Sequence, residues 1–145
     1  MSHDDIRRVA LNCLTRRDYS QKELLQKLAR QYPIDDIRQV LATLTEVGLI
    51  NEKRYTENYI NYRRQKGYGP ERITRELEMR GIPAEMIAEE LKITDNAWQQ
   101  ALERLWQKHF KGQQPTNFKT KAKQMRFLYY RGFTQEQIEE LLVSL

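Results

Sequence analysis

Tyr19-Ser-Gln-Lys-Glu-Leu-Leu-Gln-Lys-Leu28 and Tyr68-Gly-Pro-Glu-Arg-Ile-Thr-Arg-Glu-Leu77 can be laid over each other at an offset of 49 residues. Both carry apolar side chains at three- and four-residue spacings, the period of an amphipathic helix. A third copy follows at an offset of 51, where Leu128 and Ile138 take the places of Leu77 and Ile87. Self-similarity at a fixed period of this length predicts a tandem repeat.

The junctions between the second and third helices of each repeat are also similar. Arg80-Gly-Ile-Pro83 matches Arg131-Gly-Phe-Thr134, and in both a glycine ends one helix just before the next begins. Repeat 1 has Arg30-Gln-Tyr-Pro33 instead, which lacks the glycine, and its junction is one residue shorter when counted from the aligned leucine: Pro33 follows Leu28 by five positions, whereas Pro83 follows Leu77 by six. We therefore expect a different turn in repeat 1.

Helix start and stop signals along the chain predict nine helices and no strand. Ser20-Gln-Lys-Glu23 and Thr134-Gln-Glu-Gln137 are capping-box sequences, and Asp95 is a predicted N-cap. The second helix is expected to end near Gln31. The predicted fold class is all-α, with three tandem three-helix repeats of helix-turn-helix type at residues 1–50, 51–93 and 94–145. Units this small are expected to stack into an elongated, curved array.

Composition favours a globular cytoplasmic protein. Of the 145 residues 39% are hydrophobic, enough for a modest core, and no apolar run approaches the ~20 residues of a membrane span. The N-terminal residues turn acidic at once and do not resemble a signal peptide. The single cysteine, Cys13, excludes an internal disulfide framework, and its apolar neighbours predict a buried small hydrophobe.

Enzyme signatures are absent from the sequence. Gly67-Tyr-Gly69 has neither the following lysine nor the preceding strand of a phosphate-binding loop. The two histidines, His3 and His109, have no cysteine or carboxylate at ligand spacing, so a surface or capping role is expected for His109. The sequence therefore predicts no catalytic residue, no cofactor and no metal site.

The formal charge of +5 is unevenly distributed along the chain. Basic blocks at residues 1–30, 54–80 and 104–131 alternate with acidic ones, and the 28 residues from Arg104 to Arg131 hold eight basic side chains and no acidic one. Such a block is typical of a surface that contacts phosphates. The alternative is a solvated lysine-rich helix.

Helical spacing divides the predicted helix at residues 118–131 into two faces. One face is basic, with Lys119, Lys123, Arg126 and Tyr130. The opposite face is apolar and is expected to pack on the core; it holds Phe118, Met125, Leu128 and Tyr129. A basic stripe backed by an apolar stripe suits a helix that presents cations to a phosphate backbone.

The middle repeat shows the same pattern more weakly, in the basic residues Arg63, Arg64, Lys66, Arg72 and Arg75. The first three end a predicted helix, where cations also interact favourably with the helix dipole. The whole predicted contact set for nucleic acid and protein partners is Arg63, Arg64, Lys66, Arg72, Arg75, Lys119, Lys121, Lys123, Arg126 and Arg131. A tyrosine stripe, Tyr55, Tyr59 and Tyr62, fits core packing or base stacking.

These motifs together resemble the RecX family, bacterial modulators of the RecA recombinase, over nearly the whole chain. The resemblance rests on four motifs in order: Arg16-Arg-Asp-Tyr-Ser-Gln-Lys-Glu-Leu24, Gly48-Leu-Ile-Asn-Glu-Lys-Arg-Tyr55, Lys66-Gly-Tyr-Gly-Pro-Glu-Arg-Ile73 and Phe127-Leu-Tyr-Tyr-Arg-Gly-Phe133. The chain departs from the family pattern in the missing glycine of repeat 1 and in Asn51-Glu52, where an aspartate pair is more typical.

The resemblance implies a non-enzymatic inhibitor that lies in the groove of the RecA filament on single-stranded DNA. Such proteins limit filament extension or promote disassembly, and they inhibit recombinase, ATPase and coprotease activities in DNA repair and the SOS response. The implied partners are the RecA filament and single-stranded DNA, with weaker binding to double-stranded DNA. No membrane contact is implied, and a monomer is expected.

Two other functions are compatible with parts of the sequence. Helices 1 to 3, which end in Leu44-Thr-Glu-Val-Gly-Leu-Ile50, have the pattern of a winged-helix transcriptional repressor that reads a specific DNA sequence. A wing would need a β-hairpin after Ile50, however, and residues 51–66 are predicted to be helical. A protein-only adaptor without nucleic-acid contact is the other alternative, and its binding would respond little to salt.

Overall fold

The computed structural model describes residues 3–145, and these residues form nine α-helices and no strand. The helices are α1 (His3–Arg16), α2 (Gln21–Leu28), α3 (Ile34–Glu46), α4 (Glu52–Gln65), α5 (Pro70–Met79), α6 (Ala84–Leu91), α7 (Asn96–Phe110), α8 (Phe118–Tyr130) and α9 (Gln135–Val143). The predicted all-α class is confirmed. Within the described residues, none of the helices has the length and apolar character needed to cross a membrane.

Both predicted capping boxes are present. The amide of Glu23 donates to the Ser20 hydroxyl at 3.1 Å, and the Ser20 amide donates to the Glu23 carboxylate at 3.0 Å. Thr134 and Gln137 exchange the same two bonds at the start of α9. These local bonds satisfy amides that the first turn of a helix leaves without partners. The second helix ends at Leu28, three residues earlier than expected.

The turns between the second and third helices of the repeats are closed in two ways. Gly81 and Gly132 have φ values of +83° and +102°, and in the later repeat the Phe133 amide donates to the Leu128 carbonyl at 3.3 Å. This is the Schellman arrangement, which favours glycine because its φ is positive. In repeat 1 the amides of Gln31 and Tyr32 both donate to the Leu28 carbonyl at 3.0 Å. The missing glycine therefore corresponds to a different turn.

The chain forms two compact units. Unit 1 consists of the residues up to Asn58 together with Leu77–Ile87, and unit 2 consists of Tyr59–Glu76 together with Ala88–Leu145. The predicted repeat boundaries at residues 50/51 and 93/94 follow the periodicity of the sequence, and they stay a prediction.

The core of unit 1 is formed mainly by α1, α2 and α3. Ile6, Leu24, Ile37 and Leu44 are fully buried within it. Cys13 is also buried in this core as a free thiol, which confirms the expectation of a small buried hydrophobe.

The core of unit 2 is built around α7, which packs against α8 and α9. Trp98, Trp106 and Phe133 are the largest fully buried side chains of this unit. The Trp98 indole donates to the Leu91 carbonyl at 2.8 Å. A buried indole normally needs such a partner, and the bond ties the segment before α7 to the helix itself.

Candidate nucleic-acid interface

The two units differ in net charge. Unit 1 contains 11 Lys+Arg and 11 Asp+Glu, whereas unit 2 contains 14 Lys+Arg and 9 Asp+Glu. The whole formal excess of +5 therefore lies in unit 2. A surface that attracts polyanions is expected in that unit.

Several basic residues of unit 1 are paired with acids. Arg54 donates two hydrogen bonds to the Asp18 carboxylate at 2.8 and 2.9 Å, and this hydrogen-bonded pairing lowers the pKa of Asp18. Glu23 accepts from Arg80 at 2.8 Å and from Arg17 at 3.4 Å. Arg54 of α4 is thereby joined to the α1–α2 connection, and Glu23 of α2 to the residue that follows α5, so the first role of these pairs is structural.

In unit 2, α8 is oriented by a buried polar residue. The Trp106 indole of α7 donates to the Gln124 side-chain oxygen at 2.9 Å, and the Gln124 amide donates to the Gln113 carbonyl at 2.9 Å. Gln124 and Leu128, four residues apart, are the buried residues of the helix. The hydrogen bonds fix which side of α8 faces the core.

The outward side of α8 carries a face of exposed cations, which we call the α8 face and define as Lys119, Lys123 and Arg126. All three are exposed, and none has an ion-pair partner among residues 3–145. Lys121 is also exposed but lies apart from this face, beside Phe118 and Met125 in an apolar groove between α8 and α9.

The predicted apolar face of α8 is partly wrong. Leu128 is buried as expected, but Phe118 is 88% exposed and Tyr129 is 59% exposed. Gln124 takes a core position instead, because Trp106 and the Gln113 carbonyl satisfy its amide. Hydrophobicity alone therefore wrongly placed Phe118 and Tyr129 in the buried stripe.

Three further predicted contact residues, Arg63, Arg72 and Arg131, surround one aromatic ring. Their guanidinium carbons lie 4.0, 4.6 and 4.9 Å from the centroid of the Tyr68 ring. Arginine stacks well on aromatic faces because its guanidinium is planar and weakly hydrated. We call Tyr68 and these three arginines the Tyr68 cluster.

Glu76 compensates part of the charge of the Tyr68 cluster. Its carboxylate accepts two hydrogen bonds from Arg63 at 2.8 and 2.9 Å and one from Arg72 at 3.4 Å. Burial alone would raise the pKa of Glu76, but the hydrogen bonds from Arg63 and Tyr59 outweigh it and hold that pKa below its ordinary value of 4.5. Hydrogen bonding to Glu76 raises the pKa of Arg63 in turn.

Arg131 and Gly132 join the α8–α9 turn to the segment before α5. The Arg131 guanidinium donates to the Gly67 carbonyl at 3.2 Å, and the Gly69 amide donates to the Arg131 carbonyl at 2.8 Å. A Cβ atom at Gly132 would lie 2.4 Å from the Cβ of Arg72, so the approach leaves no room for a side chain. The predicted residue Arg131 is thus also a structural residue.

A second group of cations lines a groove between the end of α4 and α7, all within unit 2. We call it the basic groove; its charged residues are Arg64, Lys66, Arg104, Lys108 and Arg131, and no carboxylate lines it. Arg64 is held in place by the Asn61 side chain at 2.7 Å and by the Trp98 ring, whose centroid lies 4.9 Å away.

Arg104 and Lys108 are absent from the contact set predicted from sequence. They begin the basic block at residues 104–131, and their four-residue spacing places them on one side of α7. That spacing is the signal in the sequence by which these two residues could have been found. Their proximity to Arg64 and Lys66 depends on the packing of α4 against α7 in unit 2, which no local pattern encodes.

Two further residues that the sequence singled out are Arg75 and His109. Arg75 is exposed on α5 and has no ion-pair partner in the described part of the chain. The exposed His109 ring stacks on Phe127 at a centroid distance of 3.7 Å. No group of three or more His, Cys, Asp or Glu within residues 3–145 is arranged to hold a metal ion.

Comparison with known sequences identifies the repeats. Models of the first, second and third three-helix domains of RecX match residues 7–44, 51–91 and 97–142 of this chain. The chain belongs to the RecX family of regulatory proteins. The predicted organisation into three tandem three-helix domains is therefore confirmed, and the resemblance found in the sequence motifs is correct.

Individual relatives agree with this assignment. The chain is 42% identical over 138 residues to the regulatory protein RecX of Pseudomonas entomophila, a match that covers 94% of this chain and 89% of that protein. It is 41% identical to the RecX protein of Pseudomonas syringae pathovar tomato over the same shares of the two chains. The crystal structure of RecX from Lactobacillus salivarius has the same fold, with a TM-score of 0.82 at 21% identity over 99% of this chain and 97% of the other.

Proposed function

We propose that this protein is a non-enzymatic negative regulator of the RecA recombinase. It acts in the cytoplasm as a monomer, binds the RecA filament on single-stranded DNA, and limits filament extension or promotes disassembly. It thereby inhibits recombinase, ATPase and coprotease activities and modulates DNA repair and the SOS response. Membership of the RecX family supports this proposal, and the observation that carries it is the concentration of all excess positive charge in unit 2.

The proposed contact residues divide into two kinds. The cations of the α8 face and of the basic groove except Arg131, with Arg75 and Lys121, are available to neutralise phosphates. Arg63, Arg72 and Arg131 are engaged in the Tyr68 cluster, where Glu76 compensates part of their charge. Their proposed role is to support the surface between the two exposed groups and to contact a partner through the sides of their guanidinium planes.

Inhibition of this kind requires binding rather than chemistry. A nucleoprotein filament presents phosphates beside protein surface of mixed charge, and the alternating basic and acidic segments of this chain can complement both. A regulator that occupies such a surface blocks the addition of further subunits or the motions that accompany ATP turnover. No bond in DNA or protein needs to be broken by the regulator itself.

The direct test adds the protein to preformed RecA filaments and follows ATP hydrolysis and filament length. We expect both to fall. A Lys123→Glu, Arg126→Glu double variant should inhibit more weakly, and the loss should be larger at low salt. The matched control reverses Arg7 and Arg38, two exposed cations of unit 1, and should inhibit as the wild type does. Unchanged ATPase and filament length at concentrations that saturate DNA binding would contradict the proposal.

The winged-helix repressor is not favoured by the structure. That function needs a β-hairpin after Ile50, and α4 occupies this part of the chain instead. Selective retention of one duplex sequence at raised salt would be the result that supports a repressor.

A further inference from the structure

Tyr130, the last residue of α8, is an exposed aromatic side chain at the end of the α8 face. It follows Arg126 by four residues and Lys123 by seven, so the three side chains project on the same side of the helix. The ring is 71% exposed, and the hydroxyl has no hydrogen-bond partner among the described residues. Neither core packing nor hydrogen bonding explains a tyrosine at this position.

The Tyr130 ring lies beside a cation that is itself held in place. The guanidinium carbon of Arg72 is 5.4 Å from the Tyr130 ring centroid and 4.6 Å from that of Tyr68. Glu76 accepts a hydrogen bond from Arg72 at 3.4 Å, and Gly132 packs closely against the Arg72 backbone and Cβ. Tyr130 is therefore an oriented ring, with one side near a fixed cation and most of its surface open.

We propose that Tyr130 stacks on a base of single-stranded DNA whose phosphates are bound by the α8 face. The inference deepens the proposed function and rests on it. An exposed ring next to a row of cations is the arrangement with which proteins bind single strands, because every base offers a π-face. Lys123 and Tyr130 are separated by about 10 Å along the helix, which matches about three stacked nucleotides.

The same arrangement makes this face selective for single strands. In a duplex each base is paired and stacked between its neighbours, so Tyr130 has no base face to reach without unstacking the helix. Phosphates are present in both nucleic acids and give no such discrimination. Tyr130 thus supplies the preference for single strands, while Lys119, Lys123 and Arg126 supply affinity common to both.

The test measures binding of three fluorescent probes by anisotropy at one salt concentration. The probes are an oligothymidylate, an abasic oligonucleotide of the same length, and a duplex of the same length. Tyr130→Ala should weaken binding to the oligothymidylate by about tenfold and leave the other two unchanged. Tyr130→Phe keeps the ring and should bind as the wild type does.

Tyr129→Ala is the matched control. Tyr129 is adjacent and exposed, but it lies about 100° around the helix from Tyr130 and off the α8 face. Its removal should leave oligothymidylate binding unchanged. Circular dichroism and thermal unfolding of each variant check that both exposed positions leave the fold intact.

Several outcomes would overturn the stacking proposal. They are an equal loss by Tyr130→Ala on all three probes, an equal loss by Tyr129→Ala, no loss at all, or a wild-type protein that does not bind the oligothymidylate. The RecA ATPase assay separates this failure from failure of the proposed function. If inhibition depends on Lys123 and Arg126 while Tyr130 has no effect on the probes, only the stacking proposal is wrong; if the probe pattern holds without inhibition, only the regulatory function is wrong.

Discussion

The Tyr68 cluster and the α8 face carry the same sign of charge and differ in almost everything else. In the cluster, Arg63 and Arg72 bind the Glu76 carboxylate and stack on a ring, so their positions are fixed within the protein. On the α8 face, Lys123 and Arg126 are exposed and have no ion-pair partner in the described residues. Equal charge therefore occurs in two settings: one group holds unit 2 together, and the other is the proposed contact for a polyanion.

The residue types follow this division. The cluster uses arginine at all three positions, where a planar group can stack and form paired hydrogen bonds at once. The α8 face uses lysine at two of its three positions, and lysine is a mobile, strongly hydrated point charge that suits phosphates at variable positions. Substitutions can test this difference. Those at the Tyr68 cluster should lower stability, and those on the α8 face should weaken binding.

The largest effect is expected from Gly132→Ala beside the cluster. Its Cβ would lie 2.4 Å from that of Arg72, and the residue has a φ of +102° that disfavours alanine. We expect the free energy of unfolding, measured with urea, to fall by about 3 kcal/mol or more. Gly48→Ala is the control, because Gly48 has a φ of +86° and nothing within 4 Å of the added Cβ; it should cost only about 1 kcal/mol. If the two variants lost equal amounts of unfolding free energy, the close contact between residue 132 and Arg72 would have no energetic effect.

Reversing the charges of the α8 face should weaken binding and leave stability nearly unchanged. Lys123→Glu with Arg126→Glu removes two cations and adds two anions, so binding to an oligothymidylate should weaken by about 100-fold at low salt. The unfolding free energy should change by less than about 0.5 kcal/mol, because both positions are exposed and unpaired. A large loss of stability would show that these side chains belong to the structural group.

A smaller loss of stability is expected from Glu76→Gln. The amide cannot balance the charges of Arg63 and Arg72, which both lie beside Tyr68 and would lose their shared anion. Because these groups are partly exposed, we expect a cost of about 1–2 kcal/mol in urea unfolding. Glu78→Gln, at an exposed carboxylate of α5 with no ion-pair partner in the described residues, should be within about 0.5 kcal/mol of the wild type.

The smallest effect is a pH dependence that Glu76 confers. Its pKa in the folded protein lies below the ordinary value of 4.5, so its contribution to stability is present above pH 4.5 and is lost as the pH falls through the lowered pKa. The stability difference between the wild type and Glu76→Gln should therefore shrink with acidification. A constant difference, in urea titrations at several pH values between neutrality and pH 3, would contradict this account.

Local patterns in the sequence predicted most of the fold. Ser20 with Glu23 and Thr134 with Gln137 form the expected caps, because each bond joins residues three positions apart. The repeat period also predicted the three-domain organisation, since each domain repeats the same local signals. The predicted ends of helices were less accurate where no glycine marks them, as at Leu28.

The candidate site was less predictable, because it depends on contacts between distant helices. Charge patterning found the α8 face but gave no reason to separate it from Arg63, whose partner Glu76 is 13 residues away on another helix. It also missed Arg104 and Lys108, which join Arg64 only through the packing of unit 2. Burial of a polar side chain such as Gln124 cannot be read from hydrophobicity.

Gln124 also determines the rotation of α8 about its own axis. A leucine at this position could pack against Trp106 over a range of helix rotations, because apolar contact has little directional preference. The amide, by contrast, must receive the indole N–H and donate to the Gln113 carbonyl at the same time, and one rotation satisfies both. Each residue of slip would turn the lysines by about 100°. Two neutral hydrogen bonds in the core thus determine the direction in which the charged side chains on the surface of α8 point.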